Sequence, residues 1–351
     1  MVAIRAFTGG RIHVVKKSRR RIVAILASTA LVSAGMTGAA AANERDQLAP
    51  PNSAAGPYVD PEAQLAEVRA AQLHADGRWA GSADPGKKAL HPESREDLYP
   101  KFTDVQLAAR VAEDQKRRAK APAPDPDAGE VVATELVAEG LRVDIYTPPP
   151  GMSPEYLADI LRKQGKKGIE VVKYGKATAM APGDCAYGSA RSFTCPVAFW
   201  TNNGFEDPLV RFNDHTPAQW PVTNAVYKWN QTPNIDSAYR FNSCPFQAGA
   251  RCVDVVNANY GAVWTGRWSG FFPTATQSGP YRENGQVIQL NDYYTPAGWT
   301  RNNTITHEMG HALGLGHNVY SNDVMYYQAN MREDIGGENP VLLASIYSIY
   351  R

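Results

Sequence analysis

Hydrophobic positions in the second half of the chain follow two different periods. Val222, Ala225, Val226 and Trp229 recur at helical spacing, which predicts a helix after Pro221. Runs of β-branched and aromatic residues around this helix predict short strands. The predicted strands lie at 209–212, 238–241, 253–256 and 287–290. A second long helix is predicted over about 301–313, and an apolar helical stretch at 342–347 closes the chain.

The first half of the chain predicts smaller units. Asp60 and Pro61 are typical of a helix start, and Thr103 with Gln106 forms a capping box that opens a second helix. A stiff Pro-rich linker follows at 121–127. A strand, a helix and a further strand are then predicted, at 141–146, 153–163 and 169–174. None of these patterns carries recognisable chemistry.

Residues 1–42 have the pattern of a cleavable export signal. Seven basic residues and no acidic one accompany a short apolar run over about 22–32, and Ala40-Ala41-Ala42 offers a cleavage site. Residues 18–23 also resemble a twin-arginine signal, and an uncleaved membrane anchor is the alternative interpretation. The net charge of +1 becomes −6 once these seven positive charges are removed. We therefore expect a secreted, mildly acidic protein that contacts neither nucleic acid nor, after signal cleavage, a membrane.

Four cysteines lie in the second half of the chain, and in an exported protein they indicate disulfides. Three connectivities are open. The close spacings favour Cys185 with Cys195 and Cys244 with Cys252. The chain has no Cys-x-x-Cys, so a zinc cluster built on cysteines is not predicted.

The candidate chemistry lies between His307 and His317. Residues four apart on a helix lie on one face, about 6 Å apart, so His307 and His311 can direct two imidazoles at one metal ion. Glu308 stands beside the metal as a free base. Gly314 can end the helix and turn the chain so that His317 becomes a third ligand. Three histidines with an open fourth position are typical of a catalytic zinc site.

An isolated His-x-x-x-His usually means two core histidines, but this longer string should arise by chance on the order of once in 10⁵ such chains. It is the signature of the metzincin zinc peptidases. From about residue 193 to 351 the chain resembles a metzincin catalytic domain, and the matrixin branch most closely. Met325, eight residues after His317, matches the methionine turn that forms the floor of the metal site; an ordinary core methionine is the alternative.

The resemblance implies an α+β fold, in which a twisted, mostly parallel sheet and two long helices form a zinc cleft above a small C-terminal subdomain. Four segments are expected. They are a signal peptide at 1–42, a helical pro-region with its linker at 43–129, a strand–helix–strand module of the pro-region at 130–175, and the zinc-peptidase domain at 176–351.

The resemblance also implies a secreted, monomeric endopeptidase that acts on proteins or peptides and is made as a zymogen. Glu308 would take a proton from a zinc-bound water that attacks the scissile carbonyl, and would deliver it to the departing amine. The strand at 287–290 is expected either to form the edge on which substrate lies or to be an interior strand.

Departures from the matrixin pattern limit the analogy. Asn318 follows the third histidine, where matrixins usually have serine. Tyr327 lies two residues after Met325, as in astacin-like and serralysin-like enzymes, which implies a hydrogen bond from its hydroxyl to the oxyanion, with simple packing as the alternative. No cysteine occurs between Asn43 and Asp184, so a cysteine switch is not available there. Asp184 could block the metal instead, or could be a turn residue.

The remaining expectations concern metals and alternatives. His215 alone offers too few ligands for a second zinc, so we expect one zinc, while loop carboxylates and carbonyls could also bind Ca²⁺. One alternative function is a non-catalytic zinc protein that binds peptides or polymers. The other is a different peptidase clan in which Glu333 supplies the third ligand.

Overall fold

The computed structural model describes nine segments of the chain. They are residues 55–72, 99–138, 140–173, 186–193, 199–202, 204–244, 251–273, 285–294 and 298–351. The predicted signal peptide, the predicted Cys185–Cys195 disulfide and Asp184 lie outside these segments. Among the residues within them, no helix has the length and apolar character needed to cross a membrane.

The described segments contain strands and helices in a mixed order. The strands are β1 (Gly129–Val137), β2 (Gly140–Thr147), β3 (Ile169–Lys173), β4 (Ala186–Tyr187), β5 (Ala190–Ser192), β6 (Leu209–Asp214), β7 (Asp236–Phe241), β8 (Arg251–Ala258), β9 (Gly266–Phe272), β10 (Gln286–Asn291) and β11 (Leu315–Gly316). The α-helices are α1 (Pro61–Gln72), α2 (Asp104–Lys120), α3 (Pro154–Lys163), α4 (Val222–Asn230), α5 (Gly298–Leu313) and α6 (Glu338–Tyr347). The predicted α+β class is confirmed.

Eight of these strands form one sheet in the order β3-β1-β2-β9-β10-β8-β6-β7, and β11-β5-β4 form a small second sheet. Strands β10, β8, β6 and β7 pair in parallel. The remaining neighbours, from β10 through β9, β2 and β1 to β3, pair antiparallel. The large sheet is therefore mixed. Helix α4 connects the parallel neighbours β6 and β7, because parallel strands need a crossover connection.

Strand β10 contains the predicted 287–290 strand, and it lies between β9 and β8. All six of its residues are buried. The expectation that this strand forms a substrate-binding edge is wrong, and the interior-strand alternative is confirmed. The reason is β9, which the hydrophobic pattern did not predict and which covers the outer side of β10.

Strand β2 joins the N-terminal part of the chain to this sheet. It forms seven antiparallel residue pairs with β9, from Leu141 opposite Phe272 to Thr147 opposite Gly266. The strands of the predicted 130–175 module and those of the predicted peptidase domain thus belong to one sheet, and residues 43–351 form one compact unit.

Helix α5 crosses the inner face of the sheet and is held by side chains that bond to its backbone. The indole Nε1 atoms of Trp229 and Trp200 donate to the carbonyls of Thr306 and Ala312, at 2.8 and 2.9 Å. The Tyr347 hydroxyl of α6 donates to the carbonyl of Leu313 at 2.7 Å. Because all of these groups are buried, the C-terminal half of α5 has a fixed position in the core.

Helix α2 is held against the start of α6. Its capping box, with Thr103 and Gln106, is formed as predicted. Near its other end, the guanidinium of Arg118 forms a two-pronged ion pair with the buried carboxylate of Glu338. Asp114 accepts the backbone N–H of Glu338 at 3.0 Å, where a negative charge favours a helix N-terminus.

A disulfide joins Cys244, after β7, to Cys252 in β8, as the sequence spacing favoured. Close to it, a buried polar cluster ties β6 to β8. The Nε2 atom of His215 lies 2.6 Å from Asp254 Oδ1, and its Nδ1 lies 3.0 Å from Asn242 Oδ1. Burial alone would lower the pKa of His215, but the hydrogen bond and charge of Asp254, with support from Asp214, raise it above its ordinary value.

The cluster gives the stability a defined pH dependence. A histidine whose pKa is higher in the folded than in the unfolded state adds stability that is complete below the unfolded pKa, about 6.5, and is lost as pH rises through the folded pKa. Compared with a His215→Gln variant, the wild type should lose its stability advantage as pH rises from about 6 to about 9. Urea unfolding of both proteins across this range tests the sign, and an advantage that grows with pH would contradict the assignment.

Candidate metal centre

Helix α5 and the turn after it place three histidines together. His307 and His311 lie one turn apart near the end of α5. Gly314 follows with a φ of +121°, and its N–H donates to the carbonyls of Gly310 and His311 at 3.0 and 2.9 Å. A side chain at Gly314 would also overlap the ring of Phe199, so only glycine fits this turn.

The three imidazoles converge on one point. His317 Nε2 lies 3.0 Å from His307 Nε2 and 3.1 Å from His311 Nε2. All three side chains have 0% exposure. Within the described segments, these residues are the one group of three or more His, Cys, Asp or Glu that could hold a metal ion.

Backbone carbonyls decide which ring nitrogens carry protons. Nδ1 of His307 lies 2.7 Å from the carbonyl of Val324, and Nδ1 of His311 lies 2.7 Å from that of Leu315. A carbonyl can only accept, so both Nδ1 atoms are protonated, and both Nε2 atoms present lone pairs. Burial lowers the pKa of His307 to about 4, and burial together with the neighbouring imidazoles lowers the pKa of His311 and of His317 well below the ordinary histidine value. The rings are therefore uncharged.

This donor set fits a zinc ion. A metal ion among the three Nε2 atoms would accept a lone pair from each of them. Zinc–nitrogen bonds of about 2.0–2.1 Å at tetrahedral angles separate the nitrogens by roughly 3.4 Å, close to the 3.0–3.1 Å between His317 and the other two rings. A carbonyl that accepts from Nδ1, as at His307 and His311, is also the usual support for a metal-binding histidine.

Glu308 lies beside this group but is not part of it. Its side chain is fully buried, and Oε1 accepts a hydrogen bond from Thr147 Oγ1 at 2.6 Å. Oε2 has no protein partner. Burial raises the pKa of Glu308 to about 8, against a smaller opposing effect of the Thr147 hydrogen bond. Strand β9 makes room for this carboxylate through Gly266, because a Cβ there would overlap it.

Met325 lies beneath the helix turn that carries the histidines. Its side chain is fully buried, and its sulfur packs on Gly310 of α5. Its carbonyl accepts the N–H of Asn318 at 2.8 Å. The same turn supplies the Val324 carbonyl that orients His307, so the turn positions this histidine directly.

Tyr327, the predicted oxyanion donor, has a different partner in this structure. Its hydroxyl donates to Asp125 Oδ2 at 2.7 Å, and the hydroxyl of Tyr326 reaches the same oxygen at 3.2 Å. Both rings pack with Ala128 and Val319. Tyr327 can act at the oxyanion only after its hydroxyl leaves Asp125. That role stays a prediction.

Glu333, the alternative third ligand, is not in the histidine group. Its carboxylate lies 4.0 Å from the Nζ of Lys228, which also donates to the Glu333 carbonyl at 2.8 Å.

Residues upstream of β4 also contact the site, and sequence patterns did not single them out. They are Asp125 at the tyrosines, Thr147 at Glu308, and Glu130, whose carboxylate accepts the backbone N–H of His317 at 3.1 Å. The one signal for Thr147 is its position between a predicted strand and three consecutive prolines.

The chain matches no family model, and no curated protein matches it either. The three-histidine centre and the acid beside it are therefore the observations from which a function can be proposed.

The close approach of Glu308 to β9 gives a prediction for Gly266→Ala. The added methyl group must displace the Glu308 carboxylate or the strand, and overpacking of this kind costs about 1–3 kcal/mol of stability. Urea unfolding measures the cost. Gly298→Ala at the start of α5 is the matched control, because a Cβ there meets no atom within 4 Å. Equal stability of Gly266→Ala and wild type would show that the contact is absent.

Proposed function

We propose that this protein is a secreted zinc-dependent endopeptidase of the metzincin type, with a matrixin-like catalytic domain. One observation carries the proposal. Three buried, uncharged imidazoles converge, with the Nε2 of His317 3.0–3.1 Å from the Nε2 atoms of the other two, and a fourth buried side chain, Glu308, lies next to them without joining them. A purely structural zinc site has no use for a free acid in this position.

His307, His311 and His317 would hold the ion. Zinc bound there supplies a water of lowered pKa and polarises the carbonyl under attack. The fold fixes the ligands in advance through the carbonyls of Val324 and Leu315.

Glu308 would act as the general base and then as the general acid. It takes a proton from the attacking water and passes it to the departing amine of the substrate. Its position immediately after His307 keeps the carboxylate close to the ion without direct ligation. Gly266 on one side and α5 on the other restrict the carboxylate to one place.

Tyr327 is the second side chain to which we assign a role. Once its hydroxyl leaves Asp125, it can donate to the oxyanion of the tetrahedral intermediate. Tyr326 shares the same carboxylate partner and provides an internal comparison.

The substrates are proteins or peptides, and the enzyme works as a monomer outside the cell. The disulfide between Cys244 and Cys252 accords with export. Residues 176–351 form the peptidase domain, and residues 43–175 form its pro-region. One catalytic zinc is expected, and Ca²⁺ could bind in surface loops.

A non-catalytic zinc protein is the second candidate, and one observation favours it. The three histidines and Glu308 all have 0% exposure, as in a closed structural site. The two candidates differ in what Glu308 does.

A Glu308→Ala variant should keep its zinc, because Glu308 is not a ligand, and should lose peptide cleavage by a factor of about 10²–10⁴ or more. Turnover of casein and zinc content per chain are measured on the same preparation. A variant that retains turnover would remove the base assignment. A wild type that binds zinc but cleaves no casein even after its pro-region has been removed would favour the non-catalytic candidate.

Tyr327→Phe should lower kcat by roughly 10–10³-fold with little change in KM, because the lost hydrogen bond forms only in the transition state. Tyr326→Phe is the matched control and should leave kcat unchanged. Both variants are assayed in the form of the protein that cleaves casein. Equal effects of the two substitutions would assign Tyr327 to packing alone.

A further inference from the structure

Strand β2 occupies the side of β9 that would otherwise be a free sheet edge. Strands β1 and β3 are attached to the sheet only through β2, and β9 pairs with β10 on its other side. Without β2, the backbone of Gly266–Phe272 would present unpaired N–H and C=O groups. Such an edge binds an extended peptide by adding it to the sheet as a further strand.

The end of β2 passes directly over the proposed general base. Thr147 lies opposite Gly266, the residue that makes room for Glu308. Its hydroxyl donates to Glu308 Oε1 at 2.6 Å, and its carbonyl accepts the N–H of Thr265 at 2.9 Å. The Thr147 hydroxyl therefore occupies one of the two carboxylate oxygens to which an attacking water could donate.

The chain beyond Thr147 is also bound on its other side. The carbonyl of Pro148 accepts the N–H of Ala329 at 3.3 Å, and that of Met152 accepts Gln328 Nε2 at 2.7 Å. These partners lie just after Met325. The segment thus runs between β9 and the chain that follows the methionine turn, as an extended peptide in a cleft does.

Upstream residues occupy the remaining groups of the site. Asp125 accepts the hydroxyl of Tyr327, and Glu130 accepts the backbone N–H of His317. Together with Thr147, they contact the proposed base, the proposed oxyanion donor and a metal ligand. No substrate can reach these groups in this arrangement, because the histidines and Glu308 have 0% exposure.

A buried ion pair fixes the register of β2. Asp144 of β2 and Arg267 of β9 are both fully buried, with 2.9 Å between Asp144 Oδ2 and Arg267 Nη2. A shift by one residue would turn Asp144 to the other face and break this buried pair, leaving Arg267 with the half-exposed Glu62 as its acidic partner. Thr147 is therefore held opposite Gly266 and not a residue away.

We propose that residues 125–173 are an internal inhibitor that occupies the substrate's place. Strand β2 mimics a substrate strand, antiparallel to β9, and Thr147 blocks Glu308. This assignment rests on the proposed peptidase function and adds its regulation. Removal of the inhibitor exposes β9, and an extended peptide substrate then binds there in the orientation that β2 shows.

Two cuts separate this segment from the rest of the chain. One lies in the exposed part of the linker, at 122–124, and the other lies between residues 174 and 185, before β4. We would insert a recognition site for a sequence-specific protease at each position of the full chain. A chain cut only in the linker is the matched control, because its inhibitor stays tethered through the end of β3.

Two readouts are followed in the uncut, singly cut and doubly cut proteins, namely casein cleavage and the rate of zinc transfer to a chelator. The uncut and singly cut forms should be inactive and should release zinc slowly. The doubly cut form should gain activity per mole as the mixture is diluted, because the inhibitor can then dissociate. Its zinc release should become at least about 10-fold faster, and purified segment added back should reverse both changes.

The two readouts distinguish failure of this inference from failure of the proposed function. An uncut chain that cleaves casein as fast as the diluted doubly cut form overturns the inhibitor and leaves the peptidase. If no form cleaves casein but dilution still speeds zinc release, the segment does cover the site and the peptidase function is wrong. Glu308→Ala in the doubly cut form should release zinc normally without cleaving casein.

Near-ultraviolet circular dichroism of the diluted sample separates dissociation from unfolding. A retained signal together with faster zinc release supports the inhibitor. Loss of the signal together with the zinc overturns it, because β1–β3 would then be a permanent part of the folded domain.

Discussion

Three buried imidazoles held with their Nε2 atoms facing each other are the arrangement around which the site is built. The carbonyls of Val324 and Leu315 accept from the Nδ1 atoms of His307 and His311, so the Nε2 lone pairs of these two rings point toward His317. Burial lowers the pKa of each ring, which keeps the rings uncharged. A cation at the centre would accept these lone pairs, so the same contacts that orient the rings would organise a metal site.

The surrounding fold keeps that cluster rigid and leaves one acid free beside it. Trp200, Trp229 and Tyr347 bond to the backbone of α5 from three directions, so the helix cannot rotate its histidines apart. Gly266 gives Glu308 its space under β9. The same strand is paired with β2, and this pairing connects the chemistry of the site to the N-terminal part of the chain. The space for Glu308 and the pairing with the N-terminal part of the chain thus depend on one strand, β9.

Local patterns predicted the parts of this arrangement that are local. The helical spacing of His307 and His311, the turn at Gly314 and the third histidine follow from a few neighbouring residues. Strand β9 was missed because Gly266–Phe272 contains two glycines and no β-branched residue, so neither alternation nor a run of β-branched residues marks it as a strand. The interior position of β10 depends on its pairing with the unpredicted β9. The contact of Thr147 with Glu308 depends on pairing between segments more than a hundred residues apart, which no local period records.

The metal centre is tested most directly by zinc X-ray absorption spectroscopy of the purified full chain, together with its metal content. The account predicts one zinc per chain, bound by three imidazole nitrogens at about 2.0–2.1 Å and one further light atom. Absence of stoichiometric zinc, a sulfur ligand, or a spectrum that requires fewer than three imidazoles would contradict it.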